Sequence, residues 1–172
     1  MKILTFLADT VYFKDIKSKR LEPGEITEMR KKATFKGRIN VRVTSDRPIM
    51  VSIAGPHVEQ TEVRGAREYT FTVEPDTEFY IGVQNKRGIF VHPANVTLEV
   101  EMLGPRKAIE VYNKVKNMLS MLQEAPEFYE IQKENIKELL KEVTEIWNFI
   151  GSEGKSVVKE LVKLTKKLEQ QT

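Results

Sequence analysis

Few carriers of chemistry stand in these 172 residues, which hold two histidines and no cysteine. His57 follows Gly55-Pro56 with Glu59 two positions on, and His92 precedes Pro93. Neither belongs to a recognised metal-ligand spacing, so both read as loop histidines and no metal site is expected. Without cysteine there is no thiol nucleophile, no zinc-thiolate centre and no disulfide, which leans towards a reducing, cytoplasmic setting. No serine occupies a Gly-x-Ser-x-Gly elbow. Gly151-Ser152-Glu153-Gly154-Lys155-Ser156 ends like a phosphate-binding loop, yet that loop needs its first glycine where Phe149 stands, and it follows a strand rather than a helix. The segment therefore reads as an interhelical turn. Glu59, Glu62 and Glu68 read as solvated carboxylates, and Asn95-Val96-Thr97 as a chance match to a glycosylation triplet. No catalytic residue and no cofactor emerge, so a non-enzyme is expected.

One local charge bias remains. Arg30, Lys31, Lys32, Lys36, Arg38, Arg42 and Arg47 face a single nearby acid, Asp46, although the whole chain is close to balanced at net +3. Alternating along a strand, these cations would form a positive face able to contact phosphates, with Phe35 as the one aromatic available for stacking. The plainer reading is an edge protected by charge.

The elements that must position these residues divide at Leu103-Gly104-Pro105. Before it, apolar residues recur every second position, as in strands with one face in a core. Ile39, Val41 and Val43 are followed, across Ser45-Asp46-Arg47-Pro48, by Ile49, Val51 and Ile53, which reads as a hairpin closed at Gly55-Pro56. Tyr69, Phe71 and Val73 end at Glu74-Pro75-Asp76. Phe79, Ile81 and Val83 end at Gln84 to Gly88, and Val96, Leu98 and Val100 form a last strand. With Ile3 to Leu7, Val11 to Ile16 and Ile26 to Ala33, about eight short strands are expected, in an all-β antiparallel sandwich over residues 1–103.

After the boundary the period becomes 3.6, so a separate α-helical hairpin or three-helix module is expected over residues 106–172. Ala108, Tyr112, Val115, Leu119 and Leu122 form one stripe. Ile136, Leu139, Leu140, Val143, Ile146, Trp147 and Ile150 form a broader packing face. Pro126 should start the second helix, although a seven-residue apolar spacing running through it fits one kinked helix. Gly151 is placed to end that helix in a left-handed conformation and Ser152 to cap the next, which carries Val157, Leu161, Leu164 and Leu168. No apolar run approaches the ~20 residues of a membrane span. High Lys and Glu usage is compatible with a thermophile.

Gly37 to Ile49, followed by Phe79-Tyr80-Ile81-Gly82-Val83-Gln84-Asn85 and Val96 to Val100, resembles the GOLD (Golgi dynamics) β-sandwich. In that family too a helical coiled-coil segment follows the sandwich. The chain lacks the family's cysteine pair, signal peptide, transmembrane helix and sorting tail. The resemblance therefore implies protein or lipid recognition by the sandwich and assembly by the helices, without membrane cargo sorting. The expected function is a non-enzymatic interaction protein. The breadth of the second stripe favours a homo-oligomer, most simply a dimer. The alternatives are nucleic-acid binding through residues 30–47 and an enzyme whose site is assembled from scattered residues.

Overall fold

The computed structural model describes residues 9–171. The strand expected at Ile3 to Leu7 lies outside them. Among the described residues there are six strands: β1 (Asp9–Leu21), β2 (Ile26–Lys32), β3 (Gly37–Ala54), β4 (Glu59–Val73), β5 (Glu78–Asn85) and β6 (Ala94–Pro105). All pairings are antiparallel.

This is not the eight-stranded sandwich of the sequence reading. It is one continuous sheet, ordered β1-β6-β3-β5-β2 with β4 on the other side of β3, curled into an open half-barrel. The physical reason lies at Ser45. Its side chain bridges the next corner, accepting from the Arg47 N–H at 3.2 Å and donating to the Arg47 carbonyl at 2.6 Å. Residues 46–48 bulge while Ser45 still pairs with Gly65 and Ile49 with Val63. The chain thus bends without reversing, and the apolar parity survives on both sides of the bend. The expected hairpin is a single bent strand, pairing with β6 before the bulge and β5 after it. Its true partner, the charged first half of β4, carries only Val63 to signal a strand.

The concave face buries the alternating set, including Ile39, Val41, Val43, Ile49, Val51, Ile53, Phe79, Ile81, Val83, Leu98 and Val100. The ends of the sheet, β1 and β2, approach each other and are joined by side chains. Lys31 pairs with Asp15 at 2.9 Å, and the Lys17 ammonium donates to the Glu28 carbonyl at 3.2 Å. Two tight turns use proline first and a positive φ second: Glu22-Pro23-Gly24-Glu25 with Gly24 at +80°, and Glu74-Pro75-Asp76-Thr77 with Asp76 at +66°.

β6 passes directly into α1 (Arg106–Glu124), at the boundary where the period changes. A break at Ala125 and a short 3₁₀ turn at Pro126–Phe128 precede α2 (Tyr129–Ile146). The proline thus interrupts the two helices rather than kinking one. A second 3₁₀ turn, Trp147–Phe149, leads to α3 (Ser152–Gln170). Gly151 is extended, with φ −87° and ψ −172°, so it is not a left-handed terminator, and no side chain of its own segment caps α3.

The cap comes from across the molecule. The Asp76 carboxylate accepts the Ser152 N–H at 2.9 Å and its hydroxyl at 3.0 Å. Those bonds, the Ser152 N–H first, hold Asp76 below the usual carboxylate range. A Cβ on Gly151 would lie 2.5 Å from that carboxylate, so only glycine permits the approach. Beside it, Phe35 reaches from the β2–β3 connection into the helical core. It is 2% exposed and meets Tyr12 and Tyr112 edge-on, at 4.8 and 5.5 Å between ring centres. Backbone bonds Lys36 N–H to Phe149 carbonyl and Gly151 N–H to Thr34 carbonyl, at 2.9 and 2.8 Å, fasten the two parts together.

Candidate functional site

The basic segment does not form one free positive face. Arg30 and Lys32 point outward from β2, where Arg30 lies over the Tyr80 ring at 5.0 Å and Lys32 is 3.8 Å from Asp76. Lys31 turns to the barrel mouth against Asp15 and over Phe13. Lys36 pairs with Glu74, Arg38 with Asp9 and Arg42 with Glu68. Around Arg38 and Arg42 the convex surface is a cross-strand charge ladder that continues through Glu99, Glu101 and Lys14. Of the seven, Arg30 and Arg47 make no ion pair among the described residues; Arg30 rests on the Tyr80 ring, and Arg47 sits on the bulge beside Asp46.

The helix packing face is brought together and used within the chain. Ile136, Leu139, Val143, Ile146 and Ile150 are buried, while Leu140 and Trp147 are half-buried against them. α1, α3 and Phe35 supply the several neighbours that its breadth requires, so the face that motivated a dimer is already covered.

The histidines part company. His57 stacks on Phe71 and lies 3.0 Å from the Glu59 carboxylate, which also accepts from Thr61 at 3.0 Å and Arg67 at 2.7 Å. These bonds, that from His57 first, lower the Glu59 pKa. A carboxylate so fully occupied fastens the β3–β4 loop across the coiled strand rather than standing ready for proton transfer. His92 is exposed, and its carbonyl takes part in the loop described next. No group of three or more His, Cys, Asp or Glu among the described residues could hold a metal ion.

The feature that sequence reasoning missed is the β5–β6 connection, residues 86–93. It starts at Asn85, a polar side chain 1% exposed. The Asn85 amide donates to the carbonyls of Leu21 and His92 at 3.0 and 2.9 Å, and its oxygen accepts the Lys86 N–H at 2.9 Å. Gly24 N–H of the neighbouring turn donates to the Asn85 and Lys86 carbonyls. At the far root, Asn95 donates from its N–H and its side chain to Asp46 on the bulge, each at 2.8 Å. These bonds, the two to Asn95 foremost, depress the Asp46 pKa. On this pinned base the tip projects Ile89, 96% exposed, and Phe90, 92% exposed. Singly exposed apolar residues need no explanation, but an adjacent pair of large ones with nearly all its surface in water is worth one. The available signal was Gly88-Ile89-Phe90-Val91, an apolar run that joins neither flanking alternation and is closed by Gly and His-Pro.

A second surface is a groove of about 450 Å³ between α1 and α2, with Met118, Met121 and Leu139 on its floor and Lys114, Glu138 and Glu142 on its walls. No helix among the described residues is long and apolar enough to cross a membrane.

No protein-family model matches the chain, and no curated protein matches it. Among solved structures it is similar to the Yersinia pseudotuberculosis-derived mitogen (7% identity, 52% of this chain and 86% of that one, TM-score 0.41). It is also similar to Aeromonas hydrophila PliG, a periplasmic lysozyme inhibitor of g-type lysozyme (11%, 51% and 84%, TM-score 0.40). A de novo designed double-stranded β-helix matches at 16% identity over 51% of this chain and 99% of that one, with a TM-score of 0.35. At these values the likenesses carry no argument about function, and none of the three names the GOLD family.

Proposed function

We propose that the protein is a non-enzymatic recognition module and that the β5–β6 loop is its recognition tip. The observation that carries this reading is the coupling of a rigid root to a bare apolar tip. Asn85 and Asn95 spend their hydrogen bonds on fixing the loop, while Ile89 and Phe90 contribute almost no buried area to the fold. Preorganisation of this kind lowers the entropy lost on binding, and aromatic anchors carry a large share of contact energy. The helices serve as a packing element, held to the sheet by Phe35 and Asp76. Nucleic-acid binding through residues 30–47 has less support, because six of its seven cations are already engaged with carboxylates or rings.

The test is capture from native lysate by the immobilised full chain and by its Ile89→Ser/Phe90→Ser variant side by side. A ligand held by the first and lost by the second supports the tip. An identical captured set with both would remove it.

A further inference from the structure

We infer that the surface this tip fits is an anionic lipid interface, with Ile89 and Phe90 entering the acyl boundary and the surrounding cations meeting the head groups. The inference rests on the loop being the recognition tip.

Three observations favour lipid over a protein pocket. First, charge: no Asp or Glu occurs between Glu78 and Glu99, whereas Lys86 and Arg87 immediately precede the tip and His92 follows it. Second, the acids that reach this end of the sheet from other elements are already occupied. Glu22 lies against Arg20, Glu25 against Lys19, Glu62 against Lys86, and Asp46 is held by Asn95. Arg87 makes no ion pair among the described residues and is exposed, whereas the exposed bulge residue Arg47 acts on the Asp46 carboxylate next to it. Arg87 is thus left as a cation without an acid partner beside the apolar point. Third, shape: protein hot spots sit inside a wider surface that seals them from water. Here Lys86, Arg87, Gly88 and His92 beside the tip are all exposed, so it stands out alone. Small apolar insertions backed by Lys and Arg are how peripheral proteins hold a membrane surface, combining buried area with attraction to anionic lipid.

The experiment uses the full chain and two vesicle preparations, phosphatidylcholine alone and phosphatidylcholine with about one third phosphatidylserine, a content that gives a clearly negative surface. Sedimentation should show binding to the anionic vesicles, at least tenfold weaker to the neutral ones, and falling as salt rises. The Ile89→Ser/Phe90→Ser variant should lose at least tenfold, and Lys86→Glu/Arg87→Glu a similar amount, with circular dichroism showing both folded. Because the chain has no cysteine, Ile89→Cys can carry a single environment-sensitive fluorophore. Its emission should shift to the blue on anionic vesicles, while the same label at Val58→Cys, in the β3–β4 loop, should not respond. Failure to bind either vesicle, equal binding to both, undiminished binding by the serine variant, or a silent label on a bound protein would each overturn the inference. Loop-dependent capture of a protein from lysate without vesicle binding would overturn the lipid assignment and leave the recognition tip standing.

Discussion

Phe35 and Phe90 each sit in a connection between strands, at opposite ends of the same half-barrel, and their fates are opposite. Phe35 leaves β2 and is sealed between Tyr12 and Tyr112 at 2% exposure, whereas Phe90 leaves β5 and stays 92% exposed. The backbone is fixed in both places, by bonds to Phe149 and Gly151 at one end and by Asn85 and Asn95 at the other. What differs is the neighbour. One loop is fixed so that its aromatic can complete a core within the chain, and the other is fixed while its aromatic stays almost wholly in water. Order alone therefore does not separate scaffold from interface; the destination of the apolar side chain does.

The comparison can be broken most forcefully at the sealed end. Phe35→Ala should cost about 3–5 kcal/mol through lost transfer and a cavity. For a chain of this size that is roughly a 10 °C fall in melting temperature by circular dichroism. A fall near 2 °C would mean that the helices hold to the sheet without this plug. Next comes the root of the free loop. Asn85→Ala strands the buried Leu21 carbonyl and releases that of His92, and should cost about 1–3 kcal/mol in urea unfolding, although no apolar core is touched.

Asp76→Asn is milder, because it keeps one acceptor oxygen at the α3 N-terminus while removing the charge and the second acceptor. The expected loss is under about 1 kcal/mol at neutral pH. Its sign with pH is fixed by linkage. The folded-state pKa lies below the ordinary Asp value of 3.8, so the carboxylate's contribution is present above that pH and is lost as pH falls through the lower folded value. Melting temperatures of wild type and Asp76→Asn should therefore converge on acidification below pH ~4, and a constant gap would contradict the cap. Smallest is Arg42→Gln on the convex ladder, where an exposed pair contributes about 0–1 kcal/mol and should change thermal stability hardly at all.

Much of this architecture was legible from periodicity. The alternation of Ile39 to Val43, Ile49 to Ile53 and Phe79 to Val83 identified buried faces that the structure confirms, and the change of period after Pro105 located α1. The curl was not legible, because Ser45 to Pro48 carries the same residue types as a turn. Only the pairing with β4 shows that the chain bends there instead of reversing. The cap on α3 was hidden for a related reason: Asp76 lies 76 residues from Ser152, and no local pattern joins them. The loop tip was easy to pass over because the run Gly88 to Val91 is apolar but joins neither flanking alternation, and only its burial shows that Ile89 and Phe90 stand in water. The seven clustered cations showed only half of their setting, since proximity along the chain did not foretell which acids strand pairing would set beside them.

The central claim is that Ile89 and Phe90 are kept for something outside the fold. The most direct measurement is equilibrium urea unfolding of the Ile89→Ser/Phe90→Ser variant beside wild type. The account predicts coincident transitions, within about 0.5 kcal/mol, because substitutions on exposed surface rarely shift stability further. A loss of more than about 1 kcal/mol would show that the tip packs against the protein itself, and the contrast with Phe35 would fall.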